Sequence, residues 1–433
     1  MNGNTNGTQD VSKMGAFSTT VAYVSQFYPL WFTYNQSRFA THNRLVGPDR
    51  VTPLYHIVVA INVDTLYAST FLTLSAEPVV LTIPDTKTTY SILTLDPYCD
   101  IFNAGIPSGQ AGTYAFTGPG YQGTIPKGIT QLPMPLDFCV LIFRADKYSS
   151  SGEDLIAEAE KFRKSIKLQT LSAWQENPDG GEALVLPEVA FAIPYKTIAD
   201  NLITRAPITF LRELQTAVAS SNTPPMLPAV QRLSEHFNTL FGDGSANQAE
   251  FSAGARAAHE LILDRYLTHT GPTNWITFLN IGDWGDHVIE RSAITEFIQY
   301  GNGRSTAAYY HAFKDETGAP LDGDNGAGYV ITFSKEQIPQ AKRFWSITAY
   351  TPESIELIHN SANKYEVASY DSGLQTGADG SVSIYVSREL PAGVPQANWL
   401  PVSHGRFNLM LRVYGPEGNV TGDYVPPGIR SNG

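Results

Sequence analysis

The stretch "INVDTLYASTFLTL", from Ile61 to Leu74, places a carboxylate, hydroxyl groups and a phenol within an otherwise apolar run. Apolar side chains recur along the stretch, which indicates that it belongs to a buried structure. Asn62, Asp64 and Tyr67 carry hydrogen-bonding groups that burial would penalise unless they are paired. The stretch is therefore either a structural polar cluster or the edge of a functional site.

The composition favours a multidomain protein that is rich in short strands. A chain of 433 residues exceeds the usual size of a single core, so two or more domains are expected. The 36 Gly, 28 Pro and 11% aromatic residues favour short strands joined by turns. Charged residues make up only 16%, against roughly 25% in an average soluble domain, so we expect apolar surface to be hidden in a homodimer interface.

The charge and the first residues argue against several classes of protein. A net charge of −12 and the lack of a basic run disfavour a nucleic-acid partner. The first 15 residues have neither the basic nor the apolar part of a secretory signal, and no apolar run approaches the roughly 20 residues that span a bilayer. Cys99 and Cys139 are expected to be buried thiols, although the sequence also allows a disulfide. A soluble, cytoplasmic protein is expected.

Four regions follow one another along the chain. Residues 1–45 combine a polar leader with an aromatic helix, and residues 46–150 carry β-like runs separated by Pro, Gly and Asp. Residues 151–306 are mainly helical, and residues 307–433 return to short strands. The pattern predicts an α+β fold with two antiparallel β domains and helices between and around them.

The sequence predicts several helices. The aromatic helix is predicted from Val11 to about Leu45, and core packing explains its aromatic side chains better than the alternative of a pocket wall. "SGEDLIAEAEKFRKSIKLQTLSAW" (residues 151–174) carries acids first and lysines later, as the helix dipole favours. Pro207 suits the first position of a later helix, and Gly301 is a predicted C-cap.

The segment "RFWSITAY" (residues 343–350) is predicted to be a strand with two different faces. One face carries Phe344, Ser346, Thr348 and Tyr350, and the other carries Trp345, Ile347 and Ala349. Both faces contain large apolar side chains, so both are candidates for packing or for lining a site.

Several motifs resemble a known two-domain family. "INVDTLYAS", "EPVVLTIPDT" and "TYSILTLDPY" resemble the domain of unknown function numbered twelve fifty-four. "RFWSITAYT", "GADGSVSIYV" and "NWLPVSHGRFNLMLRVYGP" resemble its usual companion, numbered twelve fourteen, in the family's order. The resemblance covers roughly residues 45–416, and the "HIVVA" before the first motif is more apolar than is typical.

The resemblance implies two β-sandwich-like domains joined and flanked by helices, and no agreed chemistry for the family at large. Many relatives are bacterial envelope proteins with signal peptides, whereas this sequence resembles the cytosolic fungal members. Similar fungal proteins act in secondary metabolism. The resemblance therefore points to relatives that catalyse intermolecular hetero-Diels–Alder coupling in tropolone–sesquiterpenoid biosynthesis.

The sequence lacks the motifs of common cofactor and hydrolase sites. It has no G-x-x-x-x-G-K-[ST] phosphate loop, no G-x-S-x-G nucleophile elbow and no H-E-x-x-H metal motif. "GNGRST" supplies only two glycines of a dinucleotide fingerprint and follows a predicted helix rather than a strand. No cofactor and no metal are expected, with a metal site built from distant strands left open.

Eight residues are candidates for a functional site. The candidate catalytic residues are Arg304, Asp64, Tyr67 and His287, and the candidate substrate-binding residues are Trp345, Trp284, Tyr309 and Tyr310. Arg304 follows a glycine pair, where a guanidinium can fork onto an enolate or tropolonate oxygen pair. Aromatic walls with few polar groups suit an apolar small-molecule ligand. For Arg304 a solvated loop arginine is an equally good explanation, and for each of the other residues taken alone core packing or a structural role is the simpler one.

A cofactor-independent pericyclase is the leading functional hypothesis. Holding two apolar partners face to face recovers on the order of 7–11 kcal/mol in the best intramolecular models, and an oxyanion contact adds stabilisation. Asp64 with Tyr67, His287 or Tyr309 could supply the acid or base that forms a quinone methide. Asp64 itself is expected to be structural, because its motif is shared by relatives of unlike habitats. The alternatives are a non-catalytic small-molecule-binding protein and a hydrolase or lyase with an unrecognised triad.

Overall fold

The computed structural model describes residues 10–432, apart from residues 57, 107–108, 182–183, 185–193 and 243–245. The described residues form an α+β fold of eight α-helices and four mostly antiparallel sheets, none of which closes on itself. The fold class expected from the sequence is confirmed. The polar leader lies outside the described residues as far as residue 9.

Two sheets form an N-terminal β-sandwich. Its strands are β1 (Thr65–Thr73), β2 (Val79–Ile83), β3 (Tyr90–Leu95), β4 (Gly112–Thr117), β5 (Thr130–Pro133), β6 (Phe138–Asp146) and β7 (Lys167–Thr170). One sheet has the order β1-β6-β3 and the other β5-β4-β2-β7, and only β4 and β5 pair in parallel. Alternate side chains such as Leu72, Leu81 and Leu141 fill the core between the sheets.

Two further sheets form a C-terminal β-sandwich. Its strands are β8 (Trp275–Ile276), β9 (Ala307–Ala312), β10 (Tyr329–Phe333), β11 (Ala341–Tyr350), β12 (Glu366–Ala368), β13 (Val382–Ser387), β14 (Trp399–Pro401), β15 (Asn408–Pro416) and β16 (Arg430–Ser431). The sheet orders are β12-β11-β15-β9-β8 and β14-β13-β10-β16, and only β13 and β14 pair in parallel. Ile331, Ile384 and Leu411 lie in the core between these sheets.

The helices fall into two groups, because the second and third pack on the N-terminal sandwich and the others form a bundle around the first. They are α1 (Ala16–Ser37), α2 (Ile156–Ser165), α3 (Leu171–Glu176), α4 (Tyr195–Arg205), α5 (Pro207–Val218), α6 (Pro228–Phe241), α7 (Gln248–Leu267) and α8 (Val288–Phe297). α1 packs against α5, α6, α7 and α8. Its aromatic residues, among them Phe27, Tyr28 and Trp31, are buried in that bundle, which confirms core packing.

A third apolar core joins the helices to both sandwiches. Tyr67 and Ile142 reach it from the N-terminal sandwich, and Tyr309 and Tyr414 reach it from the C-terminal sandwich. The outer face of one sheet of each sandwich is thus covered by the other domain and by helices. Because an antiparallel strand alternates its side chains between two faces, these strands carry apolar residues on both.

The two faces predicted for "RFWSITAY" are confirmed. Phe344 and Tyr350 lie in the third core, whereas Trp345 and Ile347 lie inside the C-terminal sandwich. Because side chains alternate along a strand, successive residues of this strand lie in two different cores.

Residues 151–174 do not form the continuous helix that the sequence suggests. α2 ends at Ser165, Lys167–Thr170 form β7, and α3 follows. β7 pairs with β2 in a register that sets Leu168 opposite Leu81, and both are buried in the N-terminal core. Burial on the sheet outweighs the local helical pattern. The strand pairing of the N-terminal sandwich thus continues beyond residue 150.

Two helix boundaries also differ from expectation, while Pro207 begins α5 as predicted. α1 covers Ala16–Ser37 instead of reaching Leu45, because Val46 already exchanges backbone hydrogen bonds with Ser69 of β1. α8 ends at Phe297 rather than near Gly301, and the left-handed residue after it is Gln299, with φ 58°.

Two other expectations concern thiols and membranes. Cys99 and Cys139 are both buried and free, as expected. No helix in the described ranges is long and apolar enough to cross a membrane.

A buried ion-pair network fastens the helices to one another. Lys196 Nζ of α4 lies 2.5 Å from Glu296 Oε1 of α8 and 2.8 Å from Asp200 Oδ2. His259 Nε2 of α7 lies 3.2 Å from Asp200 Oδ1, and Tyr28 of α1 donates a 2.5 Å hydrogen bond to Glu296. Burial alone would lower the pKa of His259, but Asp200 and Glu296 raise it to about 9. His259 is therefore protonated at neutral pH, and its charge links α7 to the carboxylates of α4 and α8.

The free energy of unfolding should decrease between pH 6.5 and 9 as His259 loses its proton. A raised native pKa stabilises the fold fully below the unfolded value of 6.5, and this stabilisation is lost as the pH rises through 9. The shift corresponds to at most about 3 kcal/mol. Urea unfolding at both pH values should show a smaller loss for His259→Asn than for wild type. The exposed His359→Asn is the control, and an equal loss in all three proteins contradicts the assignment.

Candidate functional site

A cavity of about 470 Å³ lies where the third core meets the two sandwiches and the end of α1. Its floor comes from β1 and β6 on one side and from β9 and β15 on the other, and residues 58–62 form part of the wall. The lining is mainly apolar and aromatic, with Phe71, Val140 and Ile142 among its side chains. A volume in the range of roughly 300–1,000 Å³ is typical of small-molecule sites.

Each sandwich contributes one Tyr–Arg pair to this cavity. Tyr67 of β1 stands opposite Arg144 of β6, and Tyr309 of β9 stands opposite Arg412 of β15. The Arg144 guanidinium lies 5.6 Å from the centre of the Tyr67 ring. Directly opposed side chains on antiparallel strands are close neighbours, so the sheet register alone fixes both pairs. The two pairs thus belong to different domains and share one cavity.

The charges on the cavity wall all have the same sign. Among the described lining residues, the charged side chains are Arg44, Arg144 and Arg412, and no Asp, Glu, Lys or His lines the cavity. Burial alone would lower the pKa of Arg144 and Arg412, but the oxygens of nearby tyrosines outweigh it and raise both pKa values. Both guanidinium groups are therefore cationic, in a protein whose net charge is −12.

A hydrogen-bond relay connects Arg144 to the hydroxyl group of Tyr309. Arg144 Nη1 donates to Asn302 Oδ1 at 2.9 Å, and Arg144 Nη2 donates to the Tyr300 carbonyl at 2.8 Å. Because a guanidinium only donates, it fixes the orientation of the Asn302 amide. Asn302 then donates its backbone N–H and its Nδ2 to Tyr309 Oη, each at 2.9 Å. With two bonds accepted, the Tyr309 oxygen still has its own proton to donate, and Tyr309 lines the cavity.

The segment around Ala60 positions Arg412. Arg412 Nη2 donates to the Ala60 carbonyl, and its guanidinium lies 5.4 Å from the Tyr350 ring. Ala60 has φ 51°, a left-handed conformation that is unusual for alanine, and its N–H donates to the Ile355 carbonyl at 2.8 Å. Such strain persists only where the surrounding structure enforces it. Contacts from both domains thus hold this wall in place.

Gly47 allows a second wall segment to approach β1. A Cβ at this position would lie 2.2 Å from the Tyr67 carbonyl oxygen, so no other residue fits without moving the chain. Arg163, buried beneath the segment, donates to the Pro48 carbonyl at 2.7 Å and to the Tyr67 carbonyl at 3.3 Å. The hydrogen bonds from Arg163 therefore hold the backbone of both segments in place beside the Tyr67 ring.

Asp64 lies behind the cavity and connects the domains. Its carboxylate accepts hydrogen bonds from Tyr370 at 2.6 Å and from Ser346 at 2.7 Å, both in the C-terminal domain. It is completely buried and does not line the cavity. Burial raises the pKa of Asp64, although both hydroxyl bonds act in the opposite direction. The geometry supports the structural role that the sequence suggested.

Of the eight candidate residues, Tyr67 and Tyr309 line the cavity. The alternation along β9 turns Tyr310 to the other face, where it borders a smaller cavity of about 190 Å³. Arg304 lies in that same smaller cavity, where its Nη2 donates to the Val420 carbonyl at 2.9 Å and to Tyr310 Oη at 3.2 Å. The structure does not bring Arg304 to the cavity that contains Tyr309.

The remaining candidates lie elsewhere. Trp345 packs in the C-terminal core, 5.8 Å from the Phe333 ring. Trp284 is buried in the third core, and its indole N–H donates to the Cys99 carbonyl at 3.4 Å. His287 occupies the N-cap position of α8, and its side chain is 67% exposed to solvent. None of the three lines the larger cavity within the described part of the chain.

Sequence reasoning missed Arg144, Arg412 and Asn302. The available signal was a single arginine within each of two apolar strands, in "LIFRAD" and in "LMLRVY". A charged side chain on a buried strand requires a partner or a ligand. Asn302 had no comparable signal, because its role depends on contacts across 158 and 7 positions of sequence.

Three side chains could in principle hold a metal ion. Asp200, His259 and Glu296 bring ligand atoms within 4.8 Å of one another. Lys196 already contacts both carboxylates, so a cation occupies the centre of this group. The arrangement suits the ion-pair network described above.

The family models agree with this architecture. The model "Protein of unknown function (DUF1254)" matches residues 42–170, and "Protein of unknown function (DUF1214)" matches residues 306–418. Together they cover more than half of the chain, which contains both domains and belongs to this two-domain family. The recognition of the two domains from sequence motifs is confirmed. No curated protein is matched by the sequence.

One solved structure supports the fold. The VPA0106 protein from Vibrio parahaemolyticus is similar, with a TM-score of 0.59 at 19% identity over 96% of this chain and 99% of that one. An uncharacterised protein from Burkholderia cenocepacia has a TM-score of 0.45 at 14% identity, over 96% and 93% of the two chains. At this level of identity the first match shows a shared fold and nothing about activity.

Removing the Asp64 carboxylate should destabilise the fold. Asp64→Ala leaves the buried hydroxyl groups of Tyr370 and Ser346 without their acceptor, which should lower the free energy of unfolding by about 2–4 kcal/mol. Urea unfolding followed by circular dichroism measures the loss. Asp286→Ala, at an exposed position, is the control and should change stability by less than about 0.5 kcal/mol. Equal stability of the Asp64 and Asp286 variants contradicts the structural role.

Proposed function

We propose that the protein is a cofactor-independent pericyclase of secondary metabolism, and that the cavity between its domains is the active site. The observation that carries the proposal is the convergence, in one apolar cavity, of two buried arginines and the free proton of Tyr309. These donors suit an oxygen on which negative charge develops, and the apolar walls suit the hydrocarbon parts of the substrates.

The proposed reaction is an intermolecular hetero-Diels–Alder coupling of a tropolone quinone methide with a sesquiterpene alkene. One C–C and one C–O bond form, three π bonds become one within the new ring system, and every atom of both partners is retained. No electron carrier or nucleophile takes part. The alkene donates electron density to the quinone methide, so negative charge grows on the carbonyl oxygen that becomes the ether oxygen.

The residues of the cavity have distinct roles in this proposal. Tyr309 donates its proton in a hydrogen bond to the developing oxyanion, and Arg144 and Arg412 stabilise the same charge. Asn302 is a positioning residue, because it acts through Tyr309 by filling the acceptor sites of the phenol oxygen. The aromatic walls, including Tyr67, hold the two partners face to face.

A hydrolase or lyase triad finds no support in the cavity. No histidine, cysteine or acidic residue, the usual members of a nucleophile–base pair, lies among its described lining residues. Non-catalytic ligand binding is the outcome to which the experiment below would point if no turnover occurs. A cytoplasmic location and a homodimer, both expected from the sequence, belong to the same proposal, and light scattering after size exclusion tests the second.

Replacing Tyr309 by phenylalanine should slow product formation by about 100-fold, because it removes one donor from the oxyanion site. The assay mixes purified protein with a quinone-methide precursor and a humulene-type alkene and follows the adduct by chiral chromatography. Tyr329→Phe is the matched control, since its phenol is also buried and accepts a backbone N–H, but in the C-terminal core. It should retain wild-type rates.

Two outcomes would refute parts of the proposal. Wild-type protein that gives the buffer rate and the buffer mixture of stereoisomers rules out the reaction. Wild-type turnover that Tyr309→Phe leaves unchanged rules out the role of the phenol while leaving the reaction in place.

A further inference from the structure

The arginines of the cavity differ from other buried arginines of this protein. Arg163 and Arg291 are also buried, and each has a carboxylate within 4 Å, from Glu160 and Asp100 respectively. A buried charge without a counter-charge is destabilising. At Arg163 and Arg291 the neighbouring carboxylate supplies that counter-charge.

Among the described residues, Arg144 and Arg412 donate hydrogen bonds to neutral partners only. Arg144 donates to the Asn302 amide oxygen and the Tyr300 carbonyl. Arg412 donates to the Ala60 carbonyl and, at 3.4 Å, to Thr348 Oγ1. In the described part of the chain, neither forms an ion pair with a carboxylate within 4.0 Å, although only 6% and 2% of their surfaces are exposed.

Asp64 does not supply the missing charge. Its carboxylate faces Tyr370 and Ser346 and lies outside the cavity lining, and Arg412 affects it only at longer range. The positive charges of Arg144 and Arg412 are therefore not neutralised by any carboxylate within 4.0 Å among the described residues.

We infer that the ligand of this cavity is an anion: a carboxylate or an enolate-type oxygen pair carried on an apolar, ring-sized body. The anionic end meets Arg144, Arg412 and Tyr309, and the body lies against Tyr67, Phe71 and Ile142. A planar oxygen pair matches the donor geometry of a guanidinium group. The inference rests on the proposal that this cavity is the functional site, and in the proposed coupling it means that the tropolone partner binds as its anion.

The test compares 2-naphthoate with 2-naphthamide, which have nearly the same shape and differ in charge. Titration calorimetry on the full-length wild-type protein should give a Kd for naphthoate at least about tenfold lower than for naphthamide. Added salt should weaken the binding of naphthoate and leave naphthamide unchanged. Equal affinity of the two probes, or binding of neither, overturns the inference, and neither comparison depends on the folding of a variant.

Substitutions then locate the anion. Arg412→Gln should raise the Kd of naphthoate about 10–100-fold and change that of naphthamide by less than about threefold. Arg388→Gln, on the surface beside Asp324, is the control and should leave both values unchanged. Strong naphthoate binding that Arg412→Gln does not weaken places the anion elsewhere and also overturns the inference.

The two proposals fail separately. Naphthoate binding through the arginines without any cyclisation refutes the reaction and keeps the anion site. Cyclisation by a protein that shows no preference for the anionic probe keeps the reaction and refutes the anion site.

Discussion

Two guanidinium groups, those of Arg144 and Arg412, are buried beside one cavity, and no carboxylate of the described residues lies within 4.0 Å to neutralise either. Much of the neighbouring structure satisfies them with neutral groups. Tyrosine rings lie beside both, and the backbone carbonyls of Tyr300 and Ala60 accept hydrogen bonds from Arg144 and Arg412 respectively. Because hydrogen bonds from charged donors are worth more than neutral ones, these arginines order the loops that supply the acceptors. The tyrosine rings and backbone carbonyls that stabilise the two charges thus also form part of the cavity wall.

The domain junction explains why the cavity can keep this arrangement. Asp64 and Asn62 of the first domain bond to the second, through Tyr370 and Ser346 and through Tyr414 Oη at 2.8 Å. The "INVDTLYAS" motif therefore acts mainly as a joint between the sandwiches. Tyr67 of the same motif is turned by the strand alternation into the cavity. One motif thus contributes both to the junction and to the site, which answers the question that its polar residues raised.

Part of this structure could be read from the sequence, and part could not. The period of two in "RFWSITAY" predicts which side chains enter each core, because strand geometry depends only on neighbouring residues. β7 could not be predicted from the sequence, because this four-residue strand lies within a helical pattern and forms only through its pairing with β2. Tyr67 and Tyr309 were found as aromatic residues next to polar ones. Arg304 was favoured for its flexible loop, but that loop folds back so that the guanidinium bonds the Val420 carbonyl.

The arginine pair was missed for a related reason. An arginine within an apolar strand is compatible with an edge position, and the register that sets Arg144 opposite Tyr67 and Arg412 opposite Tyr309 joins strands about 80 to 100 positions apart. The most direct test of the account is a crystal structure of the protein with 2-naphthoate bound. The account predicts carboxylate oxygens within hydrogen-bonding distance of Arg412 or Arg144 and of Tyr309 Oη, with the rings in the larger cavity. Naphthoate bound beside Arg304, or with its carboxylate turned away from both cavity arginines, would contradict it.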